Sequence, residues 1–477
     1  MTKQAVKKCS KALLRRPKIM TLFLRLISCL CISLLATACA TSTKVPAKIL
    51  AINSLESTED KTGHFKGLEF LADPIPGQLK NRVNVVYMHG IGWTEDRNKE
   101  QLANSFMVGL AKAYGQEPED NYIKSLCGES DYDQRQANQD YIYVQNRNPK
   151  YFETIIPEQQ LRLEQLVCMD RTVLSVDDNL EYVVYRVFWD DIFWNELQFA
   201  HVGQDDYQGS SEAFAGQRRK YNRILKDDLV NYGFSDAVMY LGPAGNEIRN
   251  AVRGAMCSAA LDAAGYSFEQ QGASVNEDDI CSTANNTSIN LNQFAFVTES
   301  LGSKIIYDLM REAQSDRRDT VIDELIAGSE VYMLANQLAL LSLSDLSLTP
   351  RLAPPPSAST QDRPRLVAMS EINDFLTYEL VPFIEQIQRR TFKGGYATGG
   401  LKSKEDRQQV IEKLGFDMVD VRLEFADKLI PVVESFVNPK DAHSGHSGEA
   451  KIMELILCGA KNGQPNTEGC LAADVDK

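Results

Sequence analysis

The sequence predicts an α/β fold: a mostly parallel sheet flanked by helices. Three observations carry this expectation. Short runs that are apolar at nearly every position recur along the chain, as strands buried on both faces require. Segments with helical spacing of apolar residues alternate with those runs. Two of the runs stop abruptly in turns of small residues before a helix begins.

The first buried strand is Val83-Asn84-Val85-Val86-Tyr87-Met88, which stops at His89-Gly90-Ile91-Gly92. A helix is expected over 98–114, with Leu102, Phe106 and Leu110 on one face. The stretch 115–180 reads as polar and irregular. A second apolar strand, Tyr182 to Phe188, ends at Trp189-Asp190-Asp191. Helices are then expected at 218–232 and 234–263, and a loop from Gly272 to Asn290. A third strand, Phe294-Ala295-Phe296-Val297, runs into Thr298-Glu299-Ser300-Leu301-Gly302, and a helix follows with Ile305, Ile306, Leu309 and Met310 on one face. Strands near 331–338 and 365–369 flank a Pro-rich loop at 350–364, and Gly394 to Gly400 reads as a second flexible loop. Helices at 404–414 and 418–428 precede a last strand near 431–437. The tail carries His443 and a helix at 447–457. The two insertions, about 115–180 and 195–290, are placed to form a cap over one edge of the sheet.

The chain has 477 residues, with 43% hydrophobic and 24% charged residues. That suits two or three domains, or one large domain with insertions, and it excludes a collagen, a disordered chain and a polytopic membrane protein. The formal net charge is −14. Residues 1–38 hold eight Lys or Arg and no acid; without them, 43 basic and 65 acidic residues leave −22. So acidic a chain repels phosphate backbones, which excludes nucleic acid as a partner.

Residues 1–38 read as a signal peptide. A basic stretch runs to Arg25 and an apolar run follows from Leu26 to Leu35. That run is too short to span a bilayer but suits a secretory segment. It ends in Leu35-Ala36-Thr37-Ala38-Cys39, which resembles a bacterial lipobox, with Ala36 where Leu is usual. The resemblance implies a lipid, palmitate among its acyl chains, on Cys39. Residues 39–80 then read as a lipidated tether with an approach strand, and 81–477 as the main domain carrying the two insertions. Ala40 after the Cys points to the outer membrane of a bacterial envelope, facing the periplasm or the surface. Six cysteines remain: Cys127, Cys168, Cys257, Cys281, Cys458 and Cys470. An even count in an exported chain permits disulfides, and neighbour pairing gives 257–281, 458–470 and 127–168. No Cys or His spacing suits a metal, and no cofactor motif is present. Gly242-Pro243-Ala244-Gly245 is a turn before a helix, with no Gly-Lys-Ser/Thr to make it a phosphate loop.

The unit strand–Thr298-Glu299-Ser300-Leu301-Gly302-Ser303–helix resembles the nucleophile elbow G-x-S-x-G. A sharp turn there pushes the Ser hydroxyl outward and leaves no room for large neighbours. His89-Gly90-Ile91-Gly92 resembles the oxyanion loop of α/β-hydrolases, with His89 bracing the loop. Together they make the chain similar to the esterase/lipase-like members of the α/β-hydrolase superfamily, over about 80–115, 182–190, 294–340 and 365–458. Thr298 departs from the family's Gly.

The resemblance implies a Ser-His-Asp triad with Ser300 as nucleophile, and backbone N–H groups of Ile91 or Gly92 and of Leu301 as the oxyanion hole. In the family's order the base follows the Ser, which leaves His443, with His446 as the alternative. The acid falls in Met369-Ser370-Glu371-Ile372-Asn373-Asp374, with Asp374 favoured and Asp345 and Glu371 as alternatives. The expected activity is hydrolysis of carboxylic esters, including acyl lipids, through an acyl-enzyme. A catalytically silent hydrolase fold serving as a binding or scaffold lipoprotein is the alternative, motivated by Thr298 and the insertions. A thioesterase, amidase or transacylase would use the same residues. Nothing in the sequence bears on oligomeric state.

Overall fold

The computed structural model describes residues 45–55, 63–74, 80–90, 101–119, 141–144, 167–189, 234–264, 294–316, 325–326, 328–345, 363–392, 404–427, 437 and 439–474. The signal peptide, Cys39, Ile91, Gly92, the helix expected at 218–232 and the loop expected at 272–290 lie outside them.

In chain order, the strands are β1 (Lys48–Ser54), β2 (Phe65–Lys66), β3 (Asp73–Pro74), β4 (Asn81–Met88), β5 (Tyr141–Val144), β6 (Val167–Ser175), β7 (Leu180–Phe188), β8 (Phe294–Glu299), β9 (Glu330–Leu334), β10 (Arg365–Glu371), β11 (Asp417–Glu424), β12 (Gly459–Lys461) and β13 (Gln464–Pro465). The helices are α1 (Gln101–Ala113), α2 (Ser235–Leu241), α3 (Ala244–Ala263), α4 (Leu301–Asp316), α5 (Leu338–Leu341), α6 (Leu380–Phe392), α7 (Lys404–Leu414), α8 (Pro439–Ser444) and α9 (Ala450–Cys458).

Among the described residues, ten strands form one sheet in the order β1-β11-β10-β9-β8-β4-β7-β6-β5, with β3 added beside β4. From β11 to β7 every pairing is parallel; β1, β3, β5 and β6 join antiparallel. The fold is α/β, with a mostly parallel sheet flanked by helices. Its core lies in two layers because each central strand is buried on both faces. In β4, Val86 and Met88 face a layer with α2 to α7, while Val83, Val85 and Tyr87 face the layer of α1 and α9. This double burial is why β4 reads as an unbroken apolar run.

Three expectations need correction. Residues 418–428, expected to be a helix, contain β11, whose Val419, Val421 and Leu423 sit in the core. Its Asp420 is buried too, because its carboxylate accepts the Leu380 N–H at 2.8 Å at the start of α6. The stretch read as irregular contains β6, disguised by Asp170; that carboxylate is buried against Arg186 of β7 at 2.6 Å. The helix expected at 234–263 is broken into α2 and α3 at Gly242-Pro243, where the pyrrolidine ring suits a helix start. The strand expected near 431–437 lies almost wholly outside the described residues.

Cys458 and Cys470 form a disulfide. Cys257 is also disulfide-bonded, and its partner is not among the described side chains. The pairings 257–281 and 127–168 therefore fall outside the described residues.

Candidate active site

Ser300 follows β8 directly and has φ of +51°, in the left-handed region that side chains with a Cβ avoid. The neighbouring structure holds it there. Its N–H donates to the Leu334 carbonyl at 2.8 Å. Gly302, in the first turn of α4, packs against the end of β4. A Cβ on it would stand 2.7 Å from the Met88 carbonyl oxygen and 2.8 Å from that of His89. Gly90 lies over Ser300 itself: a Cβ there would meet Ser300 Cβ at 2.5 Å and the Glu299 carbonyl oxygen at 2.8 Å. Both positions exclude any side chain, and both follow from the turn being tight.

Thr298 fits this turn. Its hydroxyl is buried, lies 3.1 Å from the Ser303 hydroxyl and donates to the Tyr332 carbonyl at 3.4 Å. The small residue at 303 thus leaves room for the extra hydroxyl.

Three segments far apart in sequence meet at Ser300. His443, near the end of α8, places Nε2 2.9 Å from Ser300 Oγ, across 143 residues. Its Nδ1 lies 2.7 Å from Asp374 Oδ2, across 69 residues. An Nδ1–H donating to a carboxylate leaves Nε2 as an acceptor for the Ser hydroxyl proton. Asp374 is held in turn by the Leu376 N–H at 2.9 Å and by the Thr377 hydroxyl. Burial pushes its carboxyl up, but the hydrogen bond and charge of His443, with those two donors, outweigh burial and hold it below the usual carboxylate range.

The alternatives are placed elsewhere. His446, one turn beyond His443, is fully buried with its ring edge-on to Phe425 at 4.9 Å. Burial pushes its pKa down to about 4. Asp345 pairs with Lys304 at 3.1 Å. Glu371 shapes the turn that carries Asp374 instead: it accepts the backbone N–H and the side-chain amide of Asn373, the latter at 2.9 Å, and the Phe425 N–H at 3.4 Å.

Leu301 opens α4 directly after Ser300, and the N–H groups of a helix's first turn have no intrahelical carbonyl to bond. Ile91 and Gly92 lie outside the described residues. His89, two residues before Ile91, is buried, stacks on Trp189 with ring centres 5.6 Å apart, and its carbonyl accepts the indole N–H at 3.0 Å. Trp189 therefore braces the β4 loop.

Sequence reasoning passed over Thr377, Glu299 and Ser447. Thr377 had a signal, its spacing of three from Asp374. The Ser447 hydroxyl donates to Glu299 at 2.8 Å, a contact across 148 residues that no local pattern encodes. Among the described residues, one cluster has metal-ligand atoms within reach of each other, Glu69 with Cys458 and Cys470, but the sulfurs are bonded together. Glu69 accepts the N–H groups of Leu471 and Ala472.

The arrangement can move a proton from a hydroxyl to an imidazole whose cationic form faces a carboxylate. No protein-family model, curated protein or solved structure matches this chain.

Proposed function

We propose that this chain is a serine hydrolase of the α/β-hydrolase kind that cleaves carboxylic esters, anchored in a bacterial envelope, at the outer membrane, through a lipid on Cys39. The observation that carries the reading is the hydrogen-bonded series Ser300–His443–Asp374, with Ser300 on a left-handed strand-to-helix turn.

In this reading Ser300 Oγ attacks the ester carbonyl carbon while His443 Nε2 takes the hydroxyl proton. The imidazolium is stabilised by Asp374 through Nδ1–H. The tetrahedral oxyanion is met by the Leu301 N–H and by N–H groups of Ile91 or Gly92, a term worth about 3–4 kcal/mol per donor. The C–O bond to the leaving alcohol breaks, and His443 returns the proton to that oxygen. Water then attacks the acyl-Ser300, with His443 again as base, and releases the acid.

A fluorophosphonate tests the reading, because it requires both an activated Ser and an oxyanion site. One adduct by intact mass is expected, absent in Ser300→Ala. That variant should lose at least about 10⁴-fold in esterase kcat. Full activity in Ser300→Ala would sink the assignment. A folded wild-type chain that takes no label would indicate a silent, binding lipoprotein. Matched ester, thioester and amide substrates would separate the possible acyl chemistries.

A further inference from the structure

The described chain begins at the same end of the sheet as Ser300. β1 runs antiparallel to β11, with Lys48 opposite Glu424 and Ser54 opposite Val419. Across the parallel strands, Glu299 stands level with Leu334, Met369 and Val421. The Lys48–Glu424 pair therefore lies two residues, about 7 Å, beyond the level of Ser300, toward the carboxyl ends of the strands. Just before β1 and just after β11, the Val45 N–H donates to Asp427 at 3.2 Å. Three strand spacings, about 14 Å, separate β8 from β11. Phe425, which leads to Asp427, packs against His446 of the base-bearing segment.

Val45 lies six residues after Cys39, and that stretch fully extended reaches at most about 21 Å. A lipid on Cys39 would hold the carboxyl edge of the sheet that close to its leaflet. On that edge the turn after β10 sends its side chains two ways. Asp374 and Leu376 are buried, while Ile372 and Phe375 are 53% and 57% exposed. A single exposed apolar residue is ordinary. Two large ones, on one turn at the tethered edge, are what a bilayer interface would bury. Lys48 pairs with Glu424 and Arg422 with Glu379, so these charges cancel at the edge.

We propose that the carboxyl edge of the sheet is a membrane-docking face. Ile372 and Phe375 insert among the headgroups of the leaflet that holds the Cys39 lipid. The site around Ser300 then opens onto that leaflet, and its substrates are the acyl lipids there. This rests on the lipid-anchored hydrolase reading.

The test uses the full chain, processed in a bacterial host and reconstituted in phosphatidylcholine vesicles. Intact mass reports the anchor and a dye-bearing fluorophosphonate reports Ser300, so failure of either underlying reading shows separately. Headgroup-nitroxide lipids then quench the dye. A second preparation carries the dye at position 179, exposed in the β6–β7 turn at the opposite edge. With about 30 Å of strand between the two edges, the Ser300 dye should be quenched roughly threefold more strongly. Ile372→Ser/Phe375→Ser should remove most of that difference while still taking the fluorophosphonate. Equal quenching at both positions, with anchor and adduct present, overturns the proposal. So does a double variant that keeps the full difference.

Discussion

Glu299 stands beside the candidate nucleophile with its carboxyl fully buried. Burial pushes its pKa up to about 7, against the hydroxyls of Ser447 and Tyr87 and the rings of His443 and His89, which pull it down. An unfolded Glu titrates near 4.5. The folded state therefore keeps a proton that the unfolded state loses between pH 4.5 and 7. The stability this lends is full below pH 4.5 and is lost as pH rises through 7. Glu299→Gln abolishes that titration. Relative to wild type, the variant should gain about 3 kcal/mol between pH 4.5 and pH 8.5 by urea denaturation. A difference that stays flat with pH would show that Glu299 is ionised throughout. His446, pushed down to about 4, works with the opposite sign, but it is common to both proteins and cancels. At this scale Ser300, His443 and Asp374 could be proposed from motif and order, because such chemistry restricts residue type and sequence. The Glu299–Ser447 contact could not, because either residue alone is an ordinary polar side chain.

Among the elements, β4, β8 and β10 were readable because both their faces are apolar. Two of the strands that were missed, β6 and β11, share another physical cause. Each carries a buried Asp whose partner comes from elsewhere: Asp170 with Arg186 in β6, and Asp420 with the first turn of α6 in β11. Read along the chain alone, such residues look like solvated faces. The tight meeting of β4 with the elbow was readable in part, as small residues at 90 and 302. Gly90→Ala tests what that packing does. Its Cβ would press on Ser300 Cβ and on backbone, neither of which can swing aside as the end of a flexible side chain would. The loop must shift, at a cost of about 1–3 kcal/mol in stability. The fold should survive by circular dichroism, while the rate of fluorophosphonate labelling falls at least about tenfold. An unchanged rate would mean that the β4 loop does not position Ser300.

For the whole molecule, the described chain is laced together at its two ends. β1 pairs with β11, and β2 with β12. The Tyr332 hydroxyl in the main sheet donates to the Lys66 carbonyl at 2.6 Å. The segment after α9 is closed by Cys458–Cys470, and its Leu471 and Ala472 N–H groups bond back to Glu69. α9 itself packs on α1 and follows directly from the segment that carries His443; Gly109 of α1 lies so close that a Cβ would be 2.2 Å from the Ser447 carbonyl oxygen. These ties make the C-terminal segment part of the sheet's cooperative unit rather than an appendage. Cys458→Ser/Cys470→Ser frees a loop with a sequence separation of 12, so the unfolded state gains chain entropy worth about 3 kcal/mol. Because the segment is shared, the loss should lower the midpoint of one transition, seen alike by circular dichroism and by loss of fluorophosphonate labelling across a urea series. Labelling that disappears well before the circular dichroism signal would instead show that α9 and the base-bearing segment unfold locally. The sheet would then stand without them.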